Sequence, residues 1–133
     1  LANINLDTYK NPLAEASYDL DVTYTATALL GDTKFELFAL YRDKKQRSIA
    51  KQYLEEAVDH YTDAISIAPS QEEIIKIELD NDSDLYSPAE LYLYRGYAYS
   101  WMNNKVKQAC SDWKVSKKLG NADARDMVRD WRC

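Results

Sequence analysis

An all-α chain built from antiparallel helical hairpins is what this sequence predicts, on three observations. Only three of its 133 residues are glycine while eleven are tyrosine, a usage that suits helices better than a turn-rich β fold. Apolar residues recur at three- and four-residue spacing over several long stretches. Helix start and stop signals, Asn11-Pro12, Ser87-Pro88 and Leu119-Gly120, punctuate those stretches. At this length the chain reads as one domain with room for a real core.

The first helix is expected over residues 12–30, with Asn11 as N-cap and Pro12 at the first position. Leu13, Ala16, Leu20, Tyr24 and Ala28 fall on one face, and Gly31-Asp32 reads as the turn that ends it. The run LDVTYTAT at 20–27 has strand-favouring Val and Thr, but the three-four pattern passes through it and keeps it helical. Residues 33–53 read as an inserted helical segment, with apolar KFELFALY followed by polar RDKKQRS. Residues 54–69 give the partner helix of the first hairpin, carrying Ala57, Tyr61, Ala64 and Pro69. An acidic insertion at 70–87 follows, in which IIKIEL at 74–79 is a helical turn or an edge strand.

The second hairpin is expected over 88–120. Ser87 caps it, Pro88 takes the first helical position and Glu90 lies in the first turn. Tyr92, Arg95, Gly96 and Tyr99 form the buried stripe of its first helix, with Gly96 and Ala98 allowing close approach. Asn103-Asn104 make the inter-helix turn, Ala109 and Trp113 face inward from the second helix, and Gly120 stops it in the left-handed manner. Residues 121–133 form a last helix capped by Asn121, with Ala124, Met127, Val128 and Trp131 on its buried side.

These spacings carry a resemblance. Tyr92, Arg95, Gly96 and Tyr99 stand three, one and three residues apart, and Ala109 and Trp113 follow, four apart. That resembles the aromatic-x2-L-G-x2-Y then A-x3-F pattern of the tetratricopeptide repeat, with Arg95 at the usual leucine. Ala57, Tyr61, Ala64 and Pro69 match the second helix of an earlier, divergent copy. Ala57 and Ala109 lie farther apart than the repeat period of about 34 residues, hence the insertion at 70–87. KKLGNADARDM also resembles the related Sel1-like repeats. The resemblance implies an α-solenoid in which 12–69 is a first repeat, 88–120 a second and 121–133 the cap. It further implies a protein that presents a groove to a protein partner and performs no chemistry.

In such solenoids the first helix of each repeat lines the concave face. Leu93, Tyr97, Ser100 and Trp101 are then the expected partner-binding stripe, joined by Tyr18 and Asp21 on the first helix. The competing reading has Leu93 and Trp101 packing against the inserted segment.

Cys110 and Cys133 are the only cysteines and read either as two unrelated thiols or as a disulfide tying the cap to the last hairpin. The run A-C-x-D-W, then L-G-N, then a terminal Cys looks like the C-terminal end of repeat proteins exported by Bacteroidetes-type bacteria. That likeness favours the disulfide and an extracytoplasmic, periplasmic or cell-envelope location.

Composition narrows the remaining classes. A net charge of −5 argues against nucleic acid, whose phosphates need a basic stripe. No run reaches the roughly 18 apolar residues of a membrane span. The chain opens on Leu1 without a signal peptide, which reads as a processed protein or the ordered part of a longer one. His60 is the single histidine, so neither a His relay nor a two-His metal site is expected, and no catalytic, cofactor or metal residues are assigned. Asp80, Asp82 and Asp84 alternate as in a calcium loop, but Leu85 and Leu91 stand where an EF-hand needs glycine and glutamate. The leading expectation is a non-enzymatic interaction module or subunit of a larger assembly. The alternative is a small-ligand or calcium-binding accessory protein using the acidic insertion.

Overall fold

The computed structural model describes residues 12–70, 72–76 and 86–133, with side chains described from residue 22 onward. Within them the chain is helical without strands. Helix α1 spans Pro12–Asp43, α2 Arg47–Ile67, α3 Pro88–Ser100, α4 Val106–Lys118 and α5 Ala122–Asp130. A five-residue helical segment lies at 72–76. Each long helix packs chiefly against its neighbour in the chain: α1 on α2, α2 on α3, α3 on α4 and α4 on α5. Among the described residues no helix is long and apolar enough to cross a membrane.

The first helix departs from the sequence expectation. It does not end at Gly31-Asp32 but continues unbroken to Asp43. Gly31 is buried inside the helix, and a Cβ there would stand 2.6 Å from the Tyr61 ring. Its glycine therefore serves the α1–α2 crossing, not a turn. Asp32 does not terminate the helix either; its carboxylate accepts hydrogen bonds from the Tyr61 and Tyr86 hydroxyls. The real turn is at Lys44–Gln46, where Lys45 takes a left-handed φ of 60°. There the Gln46 N–H reaches back to the Tyr41 carbonyl. Residues 33–53 are thus helical as expected, but as the far ends of α1 and α2 rather than as a separate piece. Phe38, Ala50, Leu54 and Val58 zip those ends together, joined by Ala98 of α3.

The run 20–27 is helical, as the periodicity required. Its Tyr24 and Ala28 sit in a core with Ala57, Tyr61 and Ala64 of α2 and Leu91 of α3. Ile74, 1% exposed, inserts into the same core and pins the segment 72–76 against it.

The local signals of the second hairpin fold as read. Ser87 and Glu90 form a reciprocal capping box at the start of α3. Asn104 takes a φ of 61° in the α3–α4 turn. Gly120 ends α4 at φ 100°, its N–H and that of Asn121 closing onto Lys117 and Ser116 carbonyls. Asn121 then caps α5 by accepting from the Ala124 N–H.

Between α3 and α4, Gly96 lies against the fully buried Trp113, and a Cβ at 96 would stand 2.6 Å from the indole Cδ1. The Trp113 ring N–H donates to the Leu93 carbonyl at 3.3 Å. Arg95 grips Asp112 of α4 with two bonds of 2.8 and 2.7 Å. Its remaining amino group donates to Thr62 of α2 at 3.2 Å, so one side chain ties three helices. Burial pushes the Asp112 carboxyl above its usual value, outweighing the downward pull of the Arg95 guanidinium. The pair is therefore costly to break on one side: stranding a buried charge costs on the order of 3–5 kcal/mol.

Cys110 and Cys133 are bonded, with Cα atoms 5.4 Å apart, fastening the end of α5 to α4. On α5 only Ala124 is fully buried; Met127 and Val128 are half-buried. Trp131, expected inside, is 41% exposed, because its ring rests on the outer edge of Trp113 at 5.3 Å instead of entering the core.

Two outcomes follow from this packing. Gly→Ala in an open helix stabilises by about 1 kcal/mol, but Gly31→Ala and Gly96→Ala should each destabilise by roughly 1–3 kcal/mol, as overpacking does. Urea denaturation reads the sign, and stabilisation at both sites would refute the close crossings. Opening the 23-residue Cys110–Cys133 loop by Cys133→Ser should cost about 3 kcal/mol in the chain-entropy model. An unchanged urea midpoint under oxidising conditions would show that the cap is held without the bond.

Candidate functional site

The aromatic rings of α3 project in sequence along one side of the molecule. Tyr94, Tyr97 and Trp101 recur at three and four residues, so one helix face carries all three. Tyr94 stands 6.1 Å from Tyr61 and 6.4 Å from Tyr97, centroid to centroid. Tyr97 meets Trp113 edge-on at 6.1 Å, and Trp113 meets Trp131. A ladder of rings thus crosses from α2 over α3 to the end of α5. Such tilted contacts fix the rings without covering their outer faces.

Two adjoining hollows open on this ladder. One, of about 290 Å³, is lined by Asp32, Phe35 and Glu36 of α1 with Tyr61, Tyr94 and Tyr97. The other, of about 420 Å³, is lined by Phe35, Tyr97, Ser100 and Trp101 with Met127 and Trp131 of α5. Phe35 and Tyr97 border both, so the two form one groove lined by α1, α3 and the α5 end, with Tyr61 from α2.

The groove is apolar at its floor and negative at its margin. Tyr94 has its hydroxyl pushed up to about 12, first by burial and then by the Glu90 and Asp32 carboxylates. Tyr97 is raised as well, by burial and then by Asp123 and Asp126 of α5. Both tyrosines therefore sense carboxylates from opposite ends of the groove. Asp32 is held in place by the two tyrosine hydroxyls, and Glu90 by its cap bond to Ser87.

Of the residues the sequence pointed to, Tyr97, Ser100 and Trp101 line the groove together. Ser100 turns its hydroxyl back to the Tyr97 carbonyl at 2.6 Å, so it contributes shape rather than a free donor. Leu93 is 3% exposed and packs with Ala109, Trp113 and Ala124, which removes it from the expected stripe. Tyr18 and Asp21 lie outside the residues whose side chains are described. So does the acidic run 80–84 with its suggested calcium ligands. Trp101 packs on Phe38 and under Arg42, both in the segment read as an insertion, and stays 54% exposed. His60 is half-buried on α2. Among the described residues no cluster of His, Cys, Asp or Glu has the makings of a metal site.

Sequence reasoning missed Phe35, Glu36, Tyr94, Met127 and Trp131. The signal for Tyr94 was present, because 94, 97 and 101 follow helical spacing as well as 93, 97 and 100 do. Choosing the neighbouring stripe rotated the face by one residue. The others come from segments read as an insertion and a cap. No protein-family model, curated protein or solved structure matches the chain.

Tyr24, Tyr61, Tyr86 and Tyr94 are all raised above the ordinary tyrosine value of 10.0, burial being the largest cause in each. A group raised in the folded state contributes stability that is whole below its unfolded value and is lost as pH climbs through the folded one. The urea midpoint should then fall as pH rises from about 10 to about 12, the interval over which Tyr94 titrates differently in the two states. In Tyr94→Phe the fall should be shallower; an identical slope would show that the groove tyrosine is not held protonated by folding.

Proposed function

We propose that this chain is a non-enzymatic protein-interaction module of the tetratricopeptide-like type, a short α-solenoid whose concave face is the aromatic groove. The observation that carries the reading is the origin of the groove: most of its lining comes from α1, α3 and the α5 end of the chain, alternate helices, with Tyr61 the one contribution from α2. Alternate helices sharing one face, with packing between chain neighbours, is the logic of a stacked hairpin array. The margin's ionisable groups are occupied in holding structure, Asp32 by two tyrosines and Glu90 by a helix cap, which suits recognition better than proton transfer.

The partner that fits is a cationic segment of another protein. Phe35, Tyr94, Tyr97 and Trp101 offer flat apolar faces, the anchors that dominate protein interfaces. Asp32, Glu36, Glu90 and Asp123 lend them negative potential, which selects lysine- and arginine-bearing segments, while Asp126 is bridged to Arg125 and Arg129. The Cys110–Cys133 bond supports a location in an oxidising compartment, and we assign the module to the periplasm or cell envelope.

Affinity purification of the tagged chain from its native source tests this reading. A stoichiometric partner should co-elute, be lost with Tyr97→Ala/Trp101→Ala and survive Val115→Ala on the exposed side of α4. Glu36→Lys should weaken the complex by about tenfold, with a steeper loss as salt rises. A partner that ignores the double substitution, or a chain that elutes alone, would overturn the proposal.

A further inference from the structure

A further cavity stands apart from the groove. It lies at the far end of the first hairpin and measures about 560 Å³, within the range of small-ligand sites. Arg42 of α1, Arg47 and Lys51 of α2, and Lys105 before α4 line it, with Glu55 as the one lining carboxylate. In a chain of net charge −5 this is a pronounced local reversal of sign. Among the described residues, Arg47, Lys51 and Lys105 have no carboxylate within ion-pair distance. Arg42 pairs with Asp43 at 3.3 Å, but the other three cations gathered without ion-pair partners repel one another, so the cluster lowers stability unless an anion joins it.

The helix starts around the cavity point the same way. Helices α2 and α4 begin at its edge; their N-cap residues Gln46 and Lys105 make no side-chain cap bond, and neither has an acid in its first turn. By contrast α3 and α5, which start elsewhere, are capped by Ser87 and Asn121 and carry Glu90 and Asp123 in their first turns. The two helices at the cavity therefore present free N–H groups and basic side chains where the other two present carboxylates. Guanidinium groups such as those of Arg42 and Arg47 match the planar geometry of a phosphate or carboxylate.

The floor is apolar. Phe38 and Trp101 stand 5.8 Å apart at a tilt of 58°, with Leu54 and Met102 beside them. Arg42 lies over the Trp101 ring at 4.4 Å, which brings a cation directly beside the aromatic surface. We infer that this cavity binds a small organic oxyanion, a phosphate or carboxylate carried on a flat apolar group. Its charge would sit among Arg47, Lys51 and Lys105, and its apolar part on Phe38 and Trp101. The site is separate from the concave groove, although Trp101 borders both.

Calorimetric titration of the whole chain with four probes tests it: 1-naphthyl phosphate, 1-naphthoate, inorganic phosphate and neutral 1-naphthol. At least one aryl anion should bind at a single site with a Kd below roughly 1 mM, at least about tenfold tighter than inorganic phosphate or 1-naphthol. Arg47→Glu and Lys105→Glu should each weaken that binding by about tenfold or more, and added salt should weaken it further. Both positions are exposed helix starts, and a thermal midpoint no lower than the parent's confirms that the variants fold. Val115→Ala, on the exposed side of α4, should leave the affinity within about twofold, since additivity holds for separate sites. No saturable aryl-anion binding, equal binding of 1-naphthol, or indifference to the charge reversals would overturn the inference. Inorganic phosphate binding as tightly as either aryl anion would overturn the part assigned to the apolar floor.

Discussion

The architecture depends on two helix crossings at which a glycine lies against an aromatic ring. At Gly31 the α1 backbone meets the Tyr61 ring, and at Gly96 the α3 backbone meets the Trp113 ring. A methyl group at either place would occupy the space of a ring that is itself fully packed. Close backbone approach lets short faces of small residues, Ala28, Ala57 and Ala64 in one hairpin and Ala98, Ala109 and Ala124 in the rest, share a continuous interior. Because the rings fill the crossings from one side, the next aromatics along α3 are displaced outward. Tyr94 and Tyr97 lean on Tyr61 and Trp113 in this way, and they form the groove.

Polar groups then fix what apolar packing leaves free to slide. Arg95 spans Asp112 and Thr62, so α3 holds its register against both neighbours. Asp32 does the same at the other end by accepting from Tyr61 and Tyr86. The charge left over is divided along the molecule. Carboxylates gather around the aromatic groove and cations around the cavity at the hairpin tips, with Trp101 at the boundary. A surface of modest net charge thereby carries two opposite fields on adjoining features, each suited to a different kind of ligand.

What was legible in the sequence was local. The Ser87–Glu90 capping box, the Asn121 cap and the Gly120 stop are set by residues within a few positions of one another, and all fold as their types require. The helical state of 20–27 followed from periodicity that outweighs the strand preference of Val22 and Thr23. The Gly31-Asp32 pair was misread because a glycine signals a turn and a close crossing alike, and the choice is made by Tyr61, distant in the chain. The groove was half legible for the same reason. Tyr97 and Trp101 were found from one helix, but Phe35 and Trp131 join them only through the unexpected length of α1 and the resting place of Trp131 outside the core. The basic cavity was invisible, since Arg42 and Arg47, part of the polar run RDKKQRS, meet Lys105 only across two hairpins.

The proposed function requires a protein partner to occupy the groove. Site-specific photocrosslinking tests this most directly, with a photoreactive phenylalanine placed at Tyr97 in one variant and at Val115 in another. Irradiation in the native source should yield a discrete protein adduct from position 97 and none from 115. Adducts from 115 with none from 97 would contradict the assignment and move the partner to the outer face of α4.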